Sequence, residues 1–352
     1  MLRQLVATLK AIDKPTELHE TSDGSRILIL PYGGRILGLF AQTNDKNFLW
    51  TNPALKSVES ARAYFASDDW KNSGGDRTWL APELDFFFPD YPIVNSSGYL
   101  QPRSLDPGRY ELSQFDGRIR LTNRMCLRAF KSGKQVELEL TKSVEAALDP
   151  LRHKRNIPCD GVEYAGYTLA TSLRIMAPRP EAAPLIGLWS LTQMPHGGEL
   201  FIPTYFKAVP TTYFGLGDTP SDELIAEDRL VRFKMRAKGE HKIGVPALAT
   251  TGRIGYLYPA GESSVALIVR NFFVNPSGDY VDVPWTAPND TGCSAQACSV
   301  HSKWGMFSEL EYHVPAIGGR TGRGHVEDFS QLWAFRGTKR DIERIARLLL
   351  AL

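Results

Sequence analysis

Through much of this chain, apolar and polar residues alternate at every second position. In residues 135–142, Val136, Leu138 and Leu140 fall on one side and Glu137, Glu139 and Thr141 on the other. That period of two is the mark of a strand with one wet face. Residues 167–175 and 230–236 repeat it, and the basic positions Arg232, Lys234 and Arg236 then read as a solvated strand face rather than an anion site. Residues 264–270 are continuously apolar up to Arg270, which predicts a buried strand. Residues 26–40 read as two strands broken at Gly33-Gly34, and residues 47–53 close that unit. Helical spacing is convincing at the end, residues 339–352, where Ile342, Ile345, Ala346, Leu348 and Leu349 recur on one side. A short amphipathic helix is expected over residues 1–12 on Leu2, Leu5, Val6 and Leu9. No repeat or linker divides the chain. The pattern predicts one domain over residues 1–352, an all-β antiparallel sandwich with a C-terminal helix.

Composition narrows the function classes. Apolar residues make up 43% of the 352, enough for a large core, and the net charge of +2 gives no electrostatic case for nucleic acid or an anionic membrane. The first ten residues hold too short an apolar run for a signal peptide, so a cytoplasmic protein is expected, or one whose signal has been removed. Cys126, Cys159, Cys293 and Cys298 lack metal spacing and disulfide density. Cys293 and Cys298 are close enough in sequence to pair, but unpaired thiols are the plainer expectation.

Candidate chemistry gathers in three stretches. Residues 74–83 read Gly-Gly-Asp-Arg-Thr-Trp-Leu-Ala-Pro-Glu and lie within an irregular region expected over residues 54–105. A turn explains the glycines, which take positive φ without strain. It does not explain Asp76, Arg77, Trp79 and Glu83 together: carboxylate acceptors, a guanidinium fork and a flat indole are the parts of a sugar site. In residues 307–315, a strand would place Glu309, Glu311 and His313 opposite Leu310, Tyr312 and Val314. Two carboxylates at i and i+2 repel, which raises one pKa and suits proton transfer. Spacing alone favours an outer, solvent-facing strand surface here. In residues 188–199, Trp189 beside Thr192 and Gln193 suits a pocket wall, and His196 precedes a Gly-Gly turn. Gly318 to His325 lacks the strand–loop–helix context of a phosphate loop.

Taken together, Pro31-Tyr-Gly-Gly-Arg35, the 74–83 motif, Trp189-Ser-Leu-Thr-Gln193 and Leu310-Glu-Tyr-His-Val-Pro315 resemble the galactose mutarotase-like superfamily, which includes the aldose 1-epimerases. The resemblance runs from about residue 25 to residue 350 and is nearest to an uncharacterised branch. It implies a β-supersandwich and a protein that opens and recloses a pyranose at its anomeric carbon, or a binding module of the same fold. It implies that Glu311 is the base, that Arg77 binds substrate, and that no metal or cofactor is required. The family's central histidine has no counterpart at Trp189–Met194, where Gln193 stands, and Gln is no general acid. His313 or His196 is then the expected acid. Asp76 and Arg77 are expected to bind hydroxyls, Trp79 or Trp189 to stack on the ring, and Glu83, Gln193 and Glu309 to complete the site. The expected partner is a small sugar or a glycan end.

Overall fold

In a computed structural model that describes residues 1–153, 160–215 and 222–352, the alternating segments are strands of two large antiparallel sheets. Helix α1 (Leu2–Lys10) leads into β1 (Glu17–Glu20), β2 (Arg26–Leu30) and β3 (Arg35–Phe40). Helix α2 (Val58–Ala66) precedes β4 (Asp76–Ala81) and the one-turn helix α3 (Glu83–Phe86). A meander follows in β5 (Glu111–Phe115), β6 (Arg118–Ala129), β7 (Lys134–Ala146) and β8 (Glu163–Ile175). Then come β9 (Gly187–Pro195), β10 (Glu199–Pro203), β11 (Thr211–Phe214), β12 (Leu224–Glu227) and β13 (Leu230–Lys234). The chain ends with β14 (Gly239–Val245), β15 (Arg253–Pro259), β16 (Val265–Phe272), β17 (Ala295–Ser302), β18 (Gly305–His313), β19 (His325–Gly337) and α4 (Lys339–Leu350).

Among the described residues, one sheet has nine strands in the order β1-β2-β3-β4-β9-β18-β17-β14-β11, the other ten in the order β12-β13-β10-β15-β16-β19-β8-β7-β6-β5. Their facing sides form the main core. Alternation sends Ile27, Ile29, Leu80, Leu310 and Tyr312 of the first sheet against Tyr167, Leu169, Ile268 and Leu332 of the second. Helices cover parts of the outer faces. Ile342, Ile345, Ala346 and Leu349 of α4 pack on Phe201, Leu267, Val269 and Trp333. Leu2, Leu5 and Leu9 of α1 pack on Leu28, Leu30, Leu37 and Phe40. The antiparallel two-sheet sandwich and its C-terminal helix are as the pattern predicts. The basic face of β13 is solvated: Arg232 pairs with Glu199 and Glu227, and Lys234 with Asp222, all part-exposed or exposed.

Two expectations are corrected. Residues 54–105 are not one irregular region, since they hold a short 3₁₀ turn (Pro53–Lys56), α2, β4 and α3. The 74–83 motif is therefore a strand in its middle and not a loop. Cross-strand pairing outweighs its mixed composition: β4 runs antiparallel to β9 from Asp76↔Thr192 to Ala81↔Gly187. Its entry needs both glycines. Gly74 has φ +98° and Gly75 φ +76°, and a Cβ on Gly75 would sit 2.2 Å from the Ile36 carbonyl oxygen. Cys126, Cys293 and Cys298 are free thiols, and Cys159 lies outside the described residues. No helix among the described residues is long and apolar enough to cross a membrane.

Candidate functional site

The outer face of the nine-stranded sheet carries a cleft at β4, β9, β18, β17 and β14. Register explains which residues meet there. Arg77 of β4 pairs with Leu191 of β9, which pairs with Glu311 of β18. One pleat along, Gln193 pairs with Glu309, Glu309 with Cys298, and Cys298 with Lys242. Alternation gives all of these one side of the sheet. About 700 Å³ of empty space lies between its walls, open solvent at the mouth included. Its rim is aromatic and part-exposed: Trp70, Tyr99, Phe214, Trp285 and Trp304.

Among the described residues, four carboxylates and two cations share the cleft: Glu83, Glu240, Glu309, Glu311, Arg77 and Lys242. Glu311 is 1% exposed. Its Oε2 accepts from the Trp189 indole N–H at 2.9 Å and lies 3.2 Å from Lys242 Nζ. Burial pushes Glu311 up to about 7; Lys242 opposes the shift, and Glu309 and Glu83 add to it. Burial works against the Lys242 ammonium as well, but Glu311, then Glu83 and Asp282, more than offset it and hold its pKa above the ordinary lysine range. Lys242 Nζ is 3.7 Å from both Glu83 Oε2 and Asp282 Oδ2, and 4.2 Å from the Trp189 ring centroid. Burial also raises Glu83, whose two oxygens accept from Tyr99 Oη at 2.7 Å and Trp285 Nε1 at 3.0 Å.

Arg77 and Glu309 form the second pair. Arg77 Nη1 lies 2.9 Å from Glu309 Oε1 as an ion pair, and that oxygen accepts from Gln193 Nε2 at 2.9 Å. The Arg77 guanidinium carbon stands 4.2 Å from the Trp79 ring centroid. Trp79 is itself pinned, donating through Nε1 to Asp106 at 2.9 Å, while Asp106 is bound by Arg35 Nη2 at 2.9 Å. Cys298, Glu309 and Glu311 bring three donor atoms within 4.8 Å of one another, as a metal would need. Both carboxylates already face buried cations, so this donor set fits a metal poorly.

The structure thus brings Arg77, Trp79, Glu83, Trp189, Glu309 and Glu311 to one cleft. The solvent-facing expectation for residues 307–315 is overturned, because Phe307 to His313 are all buried. Four expected site residues do not line the cleft. Asp76 points between the sheets, where Tyr167 donates to it at 2.7 Å and Thr192 at 3.1 Å, and Arg270 is bonded to the same oxygen. It occupies the strand position next to Arg77, and a pleat sends neighbours to opposite faces. Gln193 is buried and orients Glu309. His313 is shut in, its ring stacked on Trp189 at 5.5 Å, with Nε2 3.8 Å from Asp282. Burial, then the Lys242 charge, lowers its pKa well below the ordinary value, so it stays neutral. His196 stands beyond the end of β9, 3.3 Å from Ser299 Oγ and 5.3 Å ring to ring from His301. Ser299 faces away from its cleft-lining neighbour Cys298. Neither expected acid lines the cleft.

The stacking expectation also changes. The Trp79 ring is packed by Arg77, by Phe87 at 5.0 Å and by Trp70 at 5.4 Å, and Trp189 lies between Lys242 and His313 contacts. The part-exposed rings of the cleft are those of the rim. Sequence reasoning missed Lys242, Glu240, Trp70, Tyr99 and Trp285. Trp70 and Tyr99 fall within the stretch expected to be irregular, outside its 74–83 motif, and the Glu240-His241-Lys242 run reads like any wet strand face.

Among solved structures, the chain is similar to a galactose mutarotase related enzyme from Lactobacillus acidophilus, with 9% identity and TM-score 0.47 over 90% of this chain and 97% of that one. A GalM/aldose epimerase homologue from C. elegans is 8% identical, TM-score 0.38, over 92% of this chain and 100% of that one. Galactose 1-epimerase from Lactobacillus acidophilus NCFM is 8% identical, TM-score 0.39, over 91% and 93%. Among curated proteins none matches. One family model covers residues 2–352, nearly the whole chain, and the protein belongs to that family, described as a family of unknown function (DUF6786).

Proposed function

We propose that the cleft binds a pyranose sugar and that Glu311 acts on it as a general base, in the manner of an aldose 1-epimerase. The observation that carries this reading is a buried carboxylate, raised to about 7, on the floor of a cleft rimmed by aromatic rings. A base with a pKa near neutrality combines enough deprotonated form with enough basicity to move a proton at physiological pH. Part-exposed indole and phenol rings suit the apolar faces of a sugar, and carboxylates with a guanidinium suit its hydroxyls. In the reaction, Glu311 takes the proton of the anomeric hydroxyl. The electrons of that O–H bond form the aldehyde C=O, the bond from the anomeric carbon to the ring oxygen breaks, and the ring oxygen takes up a proton. Rotation about the bond between the aldehyde carbon and its neighbouring carbon, followed by reclosure, gives the other anomer. No redox partner is needed.

A second reading is a sugar-binding protein without catalysis, favoured by the finding that neither His196 nor His313 reaches the cleft. Anomeric exchange of a panel of neutral reducing sugars, followed by NMR, separates the two. The epimerase reading expects acceleration of at least one sugar, reduced about 100-fold or more in Glu311→Gln. Binding without acceleration in the wild type would replace it by the binding-module reading. Acceleration unchanged in the variant would remove Glu311 as base.

A further inference from the structure

The reaction above needs a proton donor for the ring oxygen, and among the described residues that line the cleft there is no histidine to supply it. Resting on the epimerase reading, we propose that Lys242 is that donor, so that a lysine–glutamate pair on neighbouring positions of one sheet face does the work of both acid and base. Four features of the structure carry this.

Lys242 lines the cleft and is 2% exposed, so its ammonium meets a bound sugar in a site from which most water is excluded. An ammonium has three donors. Of the carboxylate oxygens around it, the one at 3.2 Å on Glu311 is within hydrogen-bond reach, whereas those on Glu83 and Asp282 stand at 3.7 Å. The pair is therefore not closed on itself, and N–H capacity remains for a ligand oxygen.

The position also suits the chemistry. The anomeric hydroxyl and the ring oxygen are attached to the same carbon, so the groups serving them must lie close together, and Glu311 and Lys242 do. Arg77, the other cation among the described residues of the cleft, is paired with Glu309 at 2.9 Å.

The pair is also coupled in the right sense. Before reaction, Glu311, Glu83 and Asp282 hold Lys242 protonated. When Glu311 takes the hydroxyl proton it becomes neutral, and the nearest of the charges retaining the lysine proton disappears. Lys242 turns into a stronger acid at the moment when the ring oxygen, leaving with the electron pair of the broken bond, turns into a strong base. Transfer then leaves a neutral amine beside a carboxylic acid. With 3.2 Å between the two heavy atoms, the proton returns from Glu311 to Lys242 and the resting pair is restored without water. Protons and electrons balance over the cycle.

Two variants test the proposal, read by sugar binding and by anomeric exchange. Lys242→Arg keeps the positive charge beside Glu311 but cannot give up a proton. Its exchange rate is expected to fall by about 100-fold or more while affinity for the same sugar changes only a few-fold. Exchange within threefold of wild type would overturn the proposal, because charge alone would then suffice. Lys242→Ala, supplied with small primary ammonium ions, covers the case in which arginine does not fit. The proposal expects rescue of exchange that grows as the pKa of the added amine falls. Rescue that ignores the amine's acidity, or no rescue in a folded variant that still binds sugar, would overturn it. If Glu311→Gln exchanges normally, or if the wild type exchanges no sugar, the epimerase reading has failed and not this assignment within it.

Discussion

Glu311 is a carboxyl that the fold holds above its ordinary pKa, and that has a consequence for stability with a definite sign. A carboxyl raised from 4.5 to about 7 favours the protonated form in the folded state. Its contribution is fully present below about pH 4.5 and is lost as pH rises through about 7. Wild type compared with Glu311→Gln by denaturant unfolding should therefore lose about 3 kcal/mol relative to the variant between pH 4.5 and pH 8. A difference that stays flat across this range would mean that Glu311 is not held protonated by its surroundings. At this scale the sequence was legible where chemistry is dense. Glu309, Glu311, Arg77 and Trp79 stand in short runs of unusual composition, and all reach the cleft. Asp76 was misplaced because composition says nothing about which side of a pleat a residue takes. Lys242 left no mark at all: its role comes from Cys298 and Glu311, more than fifty positions away in the chain and adjacent only through sheet pairing.

At the scale of elements, β4 decides the site, because it carries Arg77 and Trp79 on its cleft side and Asp76 on its core side. Its start depends on Gly74 and Gly75, both at positive φ, with backbone atoms packed where side chains would go. Gly75→Ala should destabilise the protein by more than about 2 kcal/mol in denaturant unfolding, since the alanine is strained in φ and its Cβ meets the Ile36 carbonyl. Wild-type stability in that variant would show that the entry to β4 is free to shift. The C-terminal helix supplies a milder test away from the cleft. Thr338 caps α4, its hydroxyl accepting from the Asp341 N–H at 3.3 Å, and Thr338→Ala should cost about 1 kcal/mol with sugar binding unchanged. Alternating segments were legible as strands because one wet face leaves a period of two. β4 was not, since it is buried on both sides and six consecutive residues lie inside. A strand of that kind has no alternation to read.

For the whole molecule, the near-neutral net charge of +2 hides a local excess of the opposite sign. Among the described residues, the cleft sets four carboxylates against two cations, with Asp282 behind Lys242. An anionic sugar enters against that field, strengthened by the low dielectric of the site. A hexose 6-phosphate or a uronic acid should bind at least tenfold more weakly than its neutral parent, measured by calorimetry at low salt, where surface screening is least. Equal or tighter binding of the phosphosugar would mean that the cations, and not the carboxylates, set the field. The overall architecture was largely readable, since patterning and turn residues specify a two-sheet sandwich. Which strands lie side by side was not, because β4, β9 and β18 are neighbours through long-range register. That adjacency is what makes a site out of three separate motifs.

The central claim is that Glu311 works as a base with a pKa near neutrality. It is tested most directly by the pH dependence of anomeric exchange, measured by NMR on the sugar that exchanges fastest. The account predicts a rate that rises with pH, with a midpoint near 7, and levels off above it, and a Glu311→Gln protein whose residual rate lacks that rise. A rate that is already level from pH 5, or a midpoint near 7 that survives in the variant, would contradict it.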